Sequence, residues 1–311
     1  MYCMPLDKYE WIHKSEILTF EEITRVARIF TSLGVKKIRL TGGEPLLRQN
    51  LAGLIARLAD LPDIELCLTT NGTSLAAKAA SLRQAGLRRI NVSVDTLNPK
   101  KFHTLTQRGN LAPVLEGIFA ARDANLNPIK INAVIEKGVN DDEILDLVTF
   151  TRTHGFALRL IEYMDVGNAN QWTSNKLVSA AEMLKVIHEK YPLYKMDQVR
   201  GTSPSVNYKF ADSKGELGVI ASVTEPFCQN CTRARLTADG KLVTCLFSSE
   251  GHDIKTRLRA GDSDTALRAW IQSIWKHRSD RYSEERSQAM RSKAGYRAFA
   301  RKKIEMITLG G

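Results

Sequence analysis

The sequence predicts an α/β fold, an incomplete parallel (β/α) barrel of the TIM type that continues into a C-terminal α+β extension. Three observations lead to this prediction. Strand and helix patterns alternate regularly as far as Met164, the strands carry polar residues on one face, and a cluster of cysteines follows where the alternation has ended. Repeated strand-helix units form parallel sheets, and about five in a row favour a barrel or partial barrel.

The alternating elements are assigned from their hydrophobic period and their end signals. Thr19 and Glu22 form a capping box that begins a helix, and Gly34 ends it. Period-two apolar runs predict strands at 35–41, 64–71, 89–95, 128–135 and 157–164. Helices are predicted to begin near Asn50, Ser74, Leu111, Asn140 and Ser179.

The regular alternation fades after Met164, and the chain is divided there. Residues 1–164 are predicted to form the partial barrel, and residues 165–311 to form a second unit built against it. This second unit contains predicted antiparallel strands around the cysteines, at 206–210, 217–223 and 242–246, and it ends in a basic helical region. A chain of 311 residues with 43% hydrophobic content can bury a substantial core.

One face of the predicted sheet is polar and cationic. Arg39 alternates with Ile38 and Leu40, and Lys130 alternates with Ile129. The same alternation places further polar residues on this face, namely Lys37, Thr41, Thr69, Asn71, Asn91, Ser93, Asp95 and Asn132. Because a closed eight-stranded barrel fills its interior with branched apolar side chains, a polar interior predicts a hydrated ligand cavity in a wider or incomplete barrel. A one-sided sheet is the alternative, but helices between parallel strands normally cover both faces.

Three cysteines, Cys228, Cys231 and Cys245, form a C-x2-C-x13-C pattern. The two-residue gap lets two thiolates turn onto one metal, and Cys245 returns across a predicted hairpin. Three soft ligands suit an iron-sulfur cluster or zinc. A zinc site normally takes four ligands, and only His252 lies close enough in sequence to be the fourth. The pattern therefore predicts a metal site and leaves the metal open.

Two arginines, Arg233 and Arg235, stand beside these cysteines. Together with Arg39 and Lys130 they would place several fixed cations around one space, which is what a triphosphate needs. Each of them could instead pair with a nearby carboxylate. That alternative weakens for the whole set because few acidic residues share the strand faces.

Composition excludes several classes of protein. The net charge of +11 allows an anionic partner, but much of it lies after residue 255 on helices without interleaved aromatic residues, so nucleic-acid binding is not expected. No apolar run approaches membrane-spanning length, and the first residues lack the regions of a signal peptide. Five cysteines, mostly clustered, fit a reducing compartment, and a cytoplasmic protein is expected.

Several motifs, taken together and in this order, carry a family resemblance. They are Cys3-Met4-Pro5, Thr41 to Pro45, Thr69 to Gly72, Asn91 to Asp95, Ile161 to Asn168, Cys228 to Leu236 and Gly310-Gly311. The chain resembles the GTP 3',8-cyclases, the molybdenum cofactor biosynthesis protein A family of the radical S-adenosylmethionine (SAM) superfamily. The resemblance covers essentially the whole chain.

The resemblance implies an enzyme with two 4Fe-4S clusters. At one cluster SAM is cleaved to a 5'-deoxyadenosyl radical that abstracts hydrogen from the ribose of GTP, and a second cluster anchors the purine. The implied product is (8S)-3',8-cyclo-7,8-dihydroguanosine 5'-triphosphate, the precursor of cyclic pyranopterin monophosphate on the way to molybdopterin. Implied partners are a reductant such as flavodoxin or ferredoxin, the cyclic pyranopterin monophosphate synthase that acts on the product, and a second copy in a homodimer.

The resemblance also assigns residues, although none as a catalytic acid or base. The SAM-contacting positions are Tyr2, Gly43, Ser93 and Met164. The GTP-contacting positions are Arg39, Thr69, Lys130, Arg233 and Arg235. Cys3 belongs to the SAM cluster, and Cys228, Cys231 and Cys245 hold the second cluster. The Gly310-Gly311 tail of this family reaches into the active site. Cys67 matches no motif and is expected to be a small buried hydrophobe.

The SAM-cluster motif departs from the family pattern. The family's C-x3-C-x2-C motif is represented here by Cys3, its last cysteine, and the first barrel strand should also precede Met1. We therefore expect a full-length product that is the cyclase, and a chain that as written is inactive because only its second cluster site is complete. The alternatives are a non-catalytic protein that binds one cluster and GTP, and another radical SAM enzyme with an auxiliary cluster. The latter would share Thr41 to Pro45 but would not be expected to keep the Arg-x-Arg beside Cys231.

Overall fold

The computed structural model describes residues 12–107, 109–168, 170, 172–196, 203–291, 296 and 302–310, and at its centre is one eight-stranded sheet. Its strands are β1 (Lys37–Leu40), β2 (Glu65–Thr70), β3 (Arg89–Ser93), β4 (Ile129–Ile135), β5 (Ala157–Glu162), β6 (Leu193–Lys195), β7 (Val206–Phe210) and β8 (Glu216–Ile220). Their order is β1-β2-β3-β4-β5-β8-β7-β6. The first six strands in this order, β1, β2, β3, β4, β5 and β8, pair in parallel with their neighbours. The strand β7 pairs antiparallel with both β8 and β6. This is the predicted incomplete TIM-type barrel.

Helices connect the parallel strands and continue after the sheet. They are α1 (Phe20–Ser32), α2 (Leu51–Ala59), α3 (Ala79–Gln84), α4 (Pro99–Thr106), α5 (Leu111–Asp123), α6 (Ile144–His154), α7 (Ala180–Lys190), α8 (Ile254–Arg259), α9 (Asp264–Lys276), α10 (Tyr282–Arg291) and α11 (Met306–Leu309). The capping box before α1 is confirmed, because Glu22 N donates to Thr19 Oγ1 at 3.1 Å and Thr19 N donates to the Glu22 carboxylate at 2.7 Å. No described helix has both the length and the apolar character needed to cross a membrane.

Two helices of the structure differ from the sequence prediction. α3 begins at Ala79 rather than near Ser74, because the preceding residues form turns in which Leu75 N donates to Gly72 O at 3.0 Å. α4 was not predicted, although Asn98 caps its first turn by accepting from the amides of Lys100 and Lys101. An asparagine followed by proline is a helix-start signal, and it could have been used.

The sheet buries its apolar face under the helices and leaves the other face polar. On β4, Ile129, Ile131 and Ala133 are buried, while Lys130 and Asn132 between them are half-buried. The buried residues join one large core that includes residues of α2, α5 and α6. A smaller core packs α1 against α8 and α9. The C-terminal region is therefore packed back onto the start of the described chain.

The sequence predicted that the strands after residue 164 surround the cysteines, and this prediction is wrong for some of them. β8 pairs in parallel with β5, through Leu158 opposite Leu217, so that β8, β7 and β6 extend the main sheet. The edge of β5 that faces away from β4 offers backbone hydrogen-bond donors and acceptors to β8. A local hairpin pattern in the sequence does not reveal such a distant partner. The cysteines lie instead around a small antiparallel sheet of β9 (Arg235–Leu236), β10 (Lys241–Val243) and β11 (His252–Asp253). The division of the chain at residue 164 stays a prediction.

Candidate functional site

The polar face of the main sheet places its site residues in a row across neighbouring strands. Thr69 pairs with Asn91, and Asn91 pairs with Lys130. Further along, Asn132 pairs with Arg159. Because paired residues of parallel strands point to the same side of a sheet, these side chains share one face. The predicted common face is thus confirmed as a structural feature.

At one end of the row, Arg39 on β1 donates a hydrogen bond from Nη1 to Thr69 Oγ1 at 2.8 Å. Thr69 is only 7% exposed, so its hydroxyl holds the guanidinium at a fixed place. Cys67 lies opposite Arg39 in the register and is 1% exposed, which confirms the expectation of a small buried residue.

The middle of the row carries Lys130 and Arg159. Burial lowers the pKa of Lys130 to about 8, and the positive charges of Arg159, Arg89 and Lys37 act in the same direction. Burial likewise lowers the pKa of Arg159 to about 10, with Arg39 and Arg89 adding to the effect. Buried cations that repel one another favour the binding of an anion.

Arg159 is a residue that the sequence reading missed. On β5 it alternates with the buried residues Leu158 and Leu160, so the parity argument that selected Lys130 applies to it equally. The same face also carries the carboxylate of Glu65, which pairs with Lys37 in the register of β1 and β2. Glu65 begins β2 and forms ion pairs with Lys37 at 3.2 Å and with Arg89. These pairs lie at the amino ends of the strands, so the carboxylate neutralises cations there.

A polar atom on the same face has no hydrogen-bond partner among the described residues. It is the side-chain oxygen Oδ1 of Asn132, which is buried. Asn132 lies between Ser93 and Arg159 in the register of the sheet. Ser93 is exposed at the end of β3. The face therefore offers a hydrogen-bond acceptor as well as cations to a bound molecule.

The glycine-rich loop after β1 is tied to the end of β2 by Glu44. Its carboxylate accepts hydrogen bonds from Leu46 N at 2.9 Å, from Thr70 Oγ1 at 2.7 Å and from Asn71 N at 2.8 Å. Gly43, next to Glu44, is exposed. Both predicted loop motifs thus meet at the carboxyl edge of the sheet, which is the usual ligand side of parallel strands.

The three cysteines of the C-x2-C-x13-C pattern are half-buried. Cys228 begins a short 3₁₀ turn in which Cys231 N donates to Cys228 O at 3.1 Å, and Cys245 follows β10. Arg233 donates to Cys231 Sγ from Nε at 3.3 Å and from Nη2 at 3.2 Å. Burial alone would raise the pKa of Cys231, but Arg278 and Arg233 outweigh it and bring the pKa to about 7. Burial raises the pKa of Cys245.

Arg235 lies among these cysteines. Burial lowers its pKa to about 10, Arg233 adds to this, and the charges of Cys245 and Cys231 oppose it. Its position is fixed by the small sheet, in which Arg235 on β9 pairs with Val243 on β10. A cation and three thiols therefore share one neighbourhood.

The donor set fits an iron-sulfur cluster better than a four-ligand zinc site. His252, the candidate fourth zinc ligand, is exposed on β11, and its ring lies against Trp270 with the centroids 6.3 Å apart. In the described part of the chain, no three His, Cys, Asp or Glu side chains are grouped around the position of a single ion. A 4Fe-4S cluster instead takes one thiolate per iron, so Cys228, Cys231 and Cys245 could hold it without meeting at one point.

A pair of residues after α9 connects the two cysteine-bearing segments. Arg278 donates from Nη1 to the carbonyl oxygen of Cys231 at 2.6 Å and from Nε to Asp280 at 3.2 Å. Asp280 accepts from Thr244 Oγ1 at 2.6 Å, one residue before Cys245. This Arg278–Asp280 clamp holds the first segment at Cys231 itself, through its carbonyl oxygen and its thiol, and the second segment through Thr244, the residue before Cys245.

The remaining predicted site residues are not brought into this row by any described contact. Met164 follows β5, is half-buried, and packs against the apolar cluster of Tyr163, Trp172 and Val223. Tyr2 and Cys3 lie outside the described residues, as does Gly311.

Comparison with known proteins gives matches over both parts of the chain. Residues 1–151 match the Radical SAM superfamily, and residues 156–284 match Molybdenum Cofactor Synthesis C. A protein of Acidothermus cellulolyticus named GTP 3',8-cyclase is 50% identical over 92% of this chain and 82% of its own length. Proteins of the same name from Xanthomonas axonopodis pv. citri and Aquifex aeolicus are each 45% identical over 100% of this chain, and over 91% and 92% of their own lengths.

Proposed function

The chain belongs to the GTP 3',8-cyclase family of radical SAM enzymes in molybdenum cofactor biosynthesis, and from this premise we propose the reaction and the site in detail. The reaction is the SAM-dependent cyclisation of GTP to (8S)-3',8-cyclo-7,8-dihydroguanosine 5'-triphosphate. This product is the precursor of cyclic pyranopterin monophosphate. SAM and iron-sulfur chemistry follow from the family, and GTP is the substrate that the relatives' name gives.

The observation that carries the proposal is that Arg39, Lys130 and Arg159 share the polar face of the sheet, and that none of the three forms an ion pair with a carboxylate of the described residues. Arg39 is held by Thr69, and Lys130 has a pKa of about 8 because it is buried beside other cations. Phosphate oxygens would relieve this repulsion, since charge-assisted hydrogen bonds to phosphate are stronger than neutral ones. We assign Arg39, Thr69 and Lys130 to the triphosphate end of GTP, with Arg159 beside them.

Arg233 and Arg235 place the same substrate next to the cysteines. In the proposal Cys228, Cys231 and Cys245 hold a second 4Fe-4S cluster, and an iron without a thiolate supplies a binding point for the purine. Arg233 and Arg235 orient the nucleotide there, because a planar guanidinium donates two parallel hydrogen bonds. The half-buried position of all three cysteines limits the access of water to this end of the site.

The SAM end of the site is assigned to the carboxyl edge of the barrel. Three residues at this edge are proposed to contact SAM. They are Gly43 after β1, Ser93 at the end of β3 and Met164 after β5. SAM bound at its own 4Fe-4S cluster supplies the radical that abstracts hydrogen from the ribose. Tyr2 and Cys3 are assigned to the same end by family position. The division at residue 164 then separates the SAM-binding part, 1–164, from the part that holds the second cluster, 165–311.

Partners and compartment follow from this chemistry. Reductive cleavage of SAM needs a low-potential one-electron donor such as flavodoxin or ferredoxin, and the cyclised nucleotide must pass to the synthase that makes cyclic pyranopterin monophosphate. The thiols of Cys228, Cys231 and Cys245 must stay reduced to bind a cluster, which fits the cytoplasm.

The proposal is tested on a product that carries all three cysteines of the C-x3-C-x2-C motif, by anaerobic reconstitution with iron and sulfide followed by incubation with SAM, dithionite and GTP. We expect 5'-deoxyadenosine and the cyclised nucleotide in equal amounts, measured by liquid chromatography and mass spectrometry. Binding of GTP without cleavage of SAM would support the alternative of a non-catalytic binding protein. Cleavage of SAM without consumption or binding of GTP would support a different radical SAM enzyme.

A further inference from the structure

Asp165 is the centre of a fully buried ionic cluster. Its carboxylate accepts hydrogen bonds from Arg286 and Tyr296, from Lys303 Nζ at 2.5 Å and from Tyr282 Oη at 2.5 Å. The side chains of Asp165, Arg286 and Lys303 are 0%, 0% and 1% exposed. All these donors belong to α10 or to the chain after it. A single carboxylate in the loop after β5 thus holds several points of the C-terminal region.

Residues 303–310, which we call the C-terminal strap, are anchored at their start to the same loop. Lys303 N donates to Asn168 Oδ1 at 3.0 Å, and Asn168 Nδ2 donates to Lys303 O and to Glu305 Oε1, both at 2.7 Å. Lys303 Nζ also donates to the carbonyl oxygen of Asp165 at 2.6 Å. The start of the strap is therefore fixed by both its backbone and its side chains.

The end of the strap lies on the glycine-rich loop after β1. A Cβ at Gly310 would lie 2.5 Å from Thr41 Cγ2 and 2.7 Å from Gly42 N, and a Cβ at Gly43 would lie 3.3 Å from Ile307 Cγ1. Gly310 also has a φ of +72°, which favours glycine. Since the carboxyl ends of β1 and β5 lie at the same edge of the parallel sheet, the strap spans from the end of β5 to the end of β1, across the ligand-side mouth of the barrel.

The charges of the cluster make Asp165 indispensable to it. Burial alone would raise the pKa of Asp165, but Arg286 and Lys303 outweigh it and hold the pKa below its usual range. Burial lowers the pKa of Lys303 despite the attraction of Asp165. Without this carboxylate, two cations would be buried uncompensated, which is strongly unfavourable. The rings of Phe247 and Tyr282, with centroids 5.2 Å from Arg286 Cζ and 4.7 Å from Lys303 Nζ, give only a weaker compensation.

We propose that Asp165 is a positioning residue that fixes the C-terminal strap across the mouth of the barrel, where the strap forms a wall beside the Thr41–Gly43 loop. Fixation of the strap follows from the contacts alone. Its consequence for the substrate rests on the proposed function, because the strap then borders the space assigned to SAM and GTP.

The test compares hydrogen-deuterium exchange of the strap in the full chain and in two neighbouring lysine variants. Lys303→Met removes one cation and its hydrogen bonds but leaves Asp165 and Arg286 as a balanced pair, so the fold is expected to persist. Lys302→Met is the control, because Lys302 is exposed. We expect amide exchange at 303–310 to become at least about tenfold faster in Lys303→Met and to be unchanged in Lys302→Met. Equal exchange in the two variants would overturn the proposal.

A second variant, Asp165→Asn, keeps the shape of the side chain and removes its charge. Where it folds, exchange of the strap should exceed that of Lys303→Met, and strap exchange at the wild-type rate would overturn the proposal. If Asp165→Asn does not fold, the comparison of strap exchange between Lys303→Met and Lys302→Met tests the proposal by itself. Failure of the wild-type chain to bind GTP would refute the proposed function, whereas the exchange of the strap would still decide the role of Asp165.

Discussion

Arg39 on β1 and Thr69 on β2 are joined by a hydrogen bond of 2.8 Å between Nη1 and Oγ1 across the two strands. A long arginine side chain loses much rotamer freedom when it binds a ligand, and a fixed hydroxyl removes part of that cost beforehand. The pair therefore presents a guanidinium in a defined orientation at one end of the polar row.

Thr69→Val should weaken GTP binding about fivefold, or ~1 kcal/mol, because the shape is kept while the acceptor for Arg39 is lost. Isothermal titration calorimetry measures the change. Thr104→Val is the matched control, since its hydroxyl donates to Lys100 O within the exposed helix α4. Equal dissociation constants for the two variants would show that Arg39 does not depend on Thr69.

GTP affinity should fall as the pH rises above about 8. The folded pKa of Lys130 is about 8, below the ordinary value of 10.5, so the ammonium that attracts phosphate is lost from this pH upward. The affinity for GTP should fall by up to about tenfold per pH unit, until the pH reaches the higher pKa that Lys130 has in the complex with GTP. Because the folded pKa is the lower one, burial of the charged form opposes folding below pH 8, and stability should rise between pH 8 and 10.5. Lys130→Met should bind more weakly at pH 7 and lose this pH dependence; a wild-type affinity that stays constant to pH 9.5 would contradict the assignment.

Loss of the Arg278–Asp280 clamp should weaken retention of the cluster without removal of any cysteine. Arg278→Met deletes the hydrogen bond to Cys231 O, and outer partners of metal ligands typically contribute 10–100-fold in affinity. After reconstitution, iron content and the decay of visible absorbance in a chelator should show release about tenfold faster. Arg281→Met is the control, since Arg281 is 62% exposed and lies 3.8 Å from Glu284. Equal rates of release in both variants would exclude a role for the clamp.

The contribution of Asp165 to stability should disappear in acid. Its pKa is lowered in the folded state, so its stabilising effect is present above the unfolded value near 4 and is lost as the pH falls through the folded value. Denaturant unfolding should show Asp165→Asn less stable than wild type by about 3–5 kcal/mol at pH 7. The difference should shrink below pH 4, because the carboxyl of the unfolded chain is protonated there while the folded one stays charged until the pH reaches its lowered pKa. A difference that stays constant down to pH 3 would contradict the ionic account.

Period-two patterning was sufficient to place Arg39, Thr69 and Lys130 on one face, because strand parity is a local property that short sequences specify well. The capping box before α1 was equally local and is present. The helix expected from Ser179 is also present as α7, with Ser179 as its N-cap. The assignment of these side chains to GTP or SAM stays a prediction.

Contacts between distant segments were not accessible in this way. Tyr282 and Lys303 reach Asp165 from 117 and 138 residues away, and no local pattern marks such a cluster. The parallel pairing of β8 with β5 was missed for the same reason, since hairpin reasoning considers only neighbours in sequence. Arg159 could have been predicted from the sequence, because the period-two alternation of β5 places it on the same polar face as Lys130.

The central claim is that GTP binds between the polar face of the barrel and the arginines beside the cysteines. It is tested most directly by equilibrium binding of GTP to the anaerobically reconstituted chain and to Arg233→Ala/Arg235→Ala. Arg28→Ala/Arg122→Ala, which removes two charges from exposed positions, is the control. We predict at least about 100-fold weaker binding in the first double variant, since each charged hydrogen bond contributes about 1.5–3 kcal/mol, and unchanged binding in the second. Equal affinity of all three proteins would contradict the account.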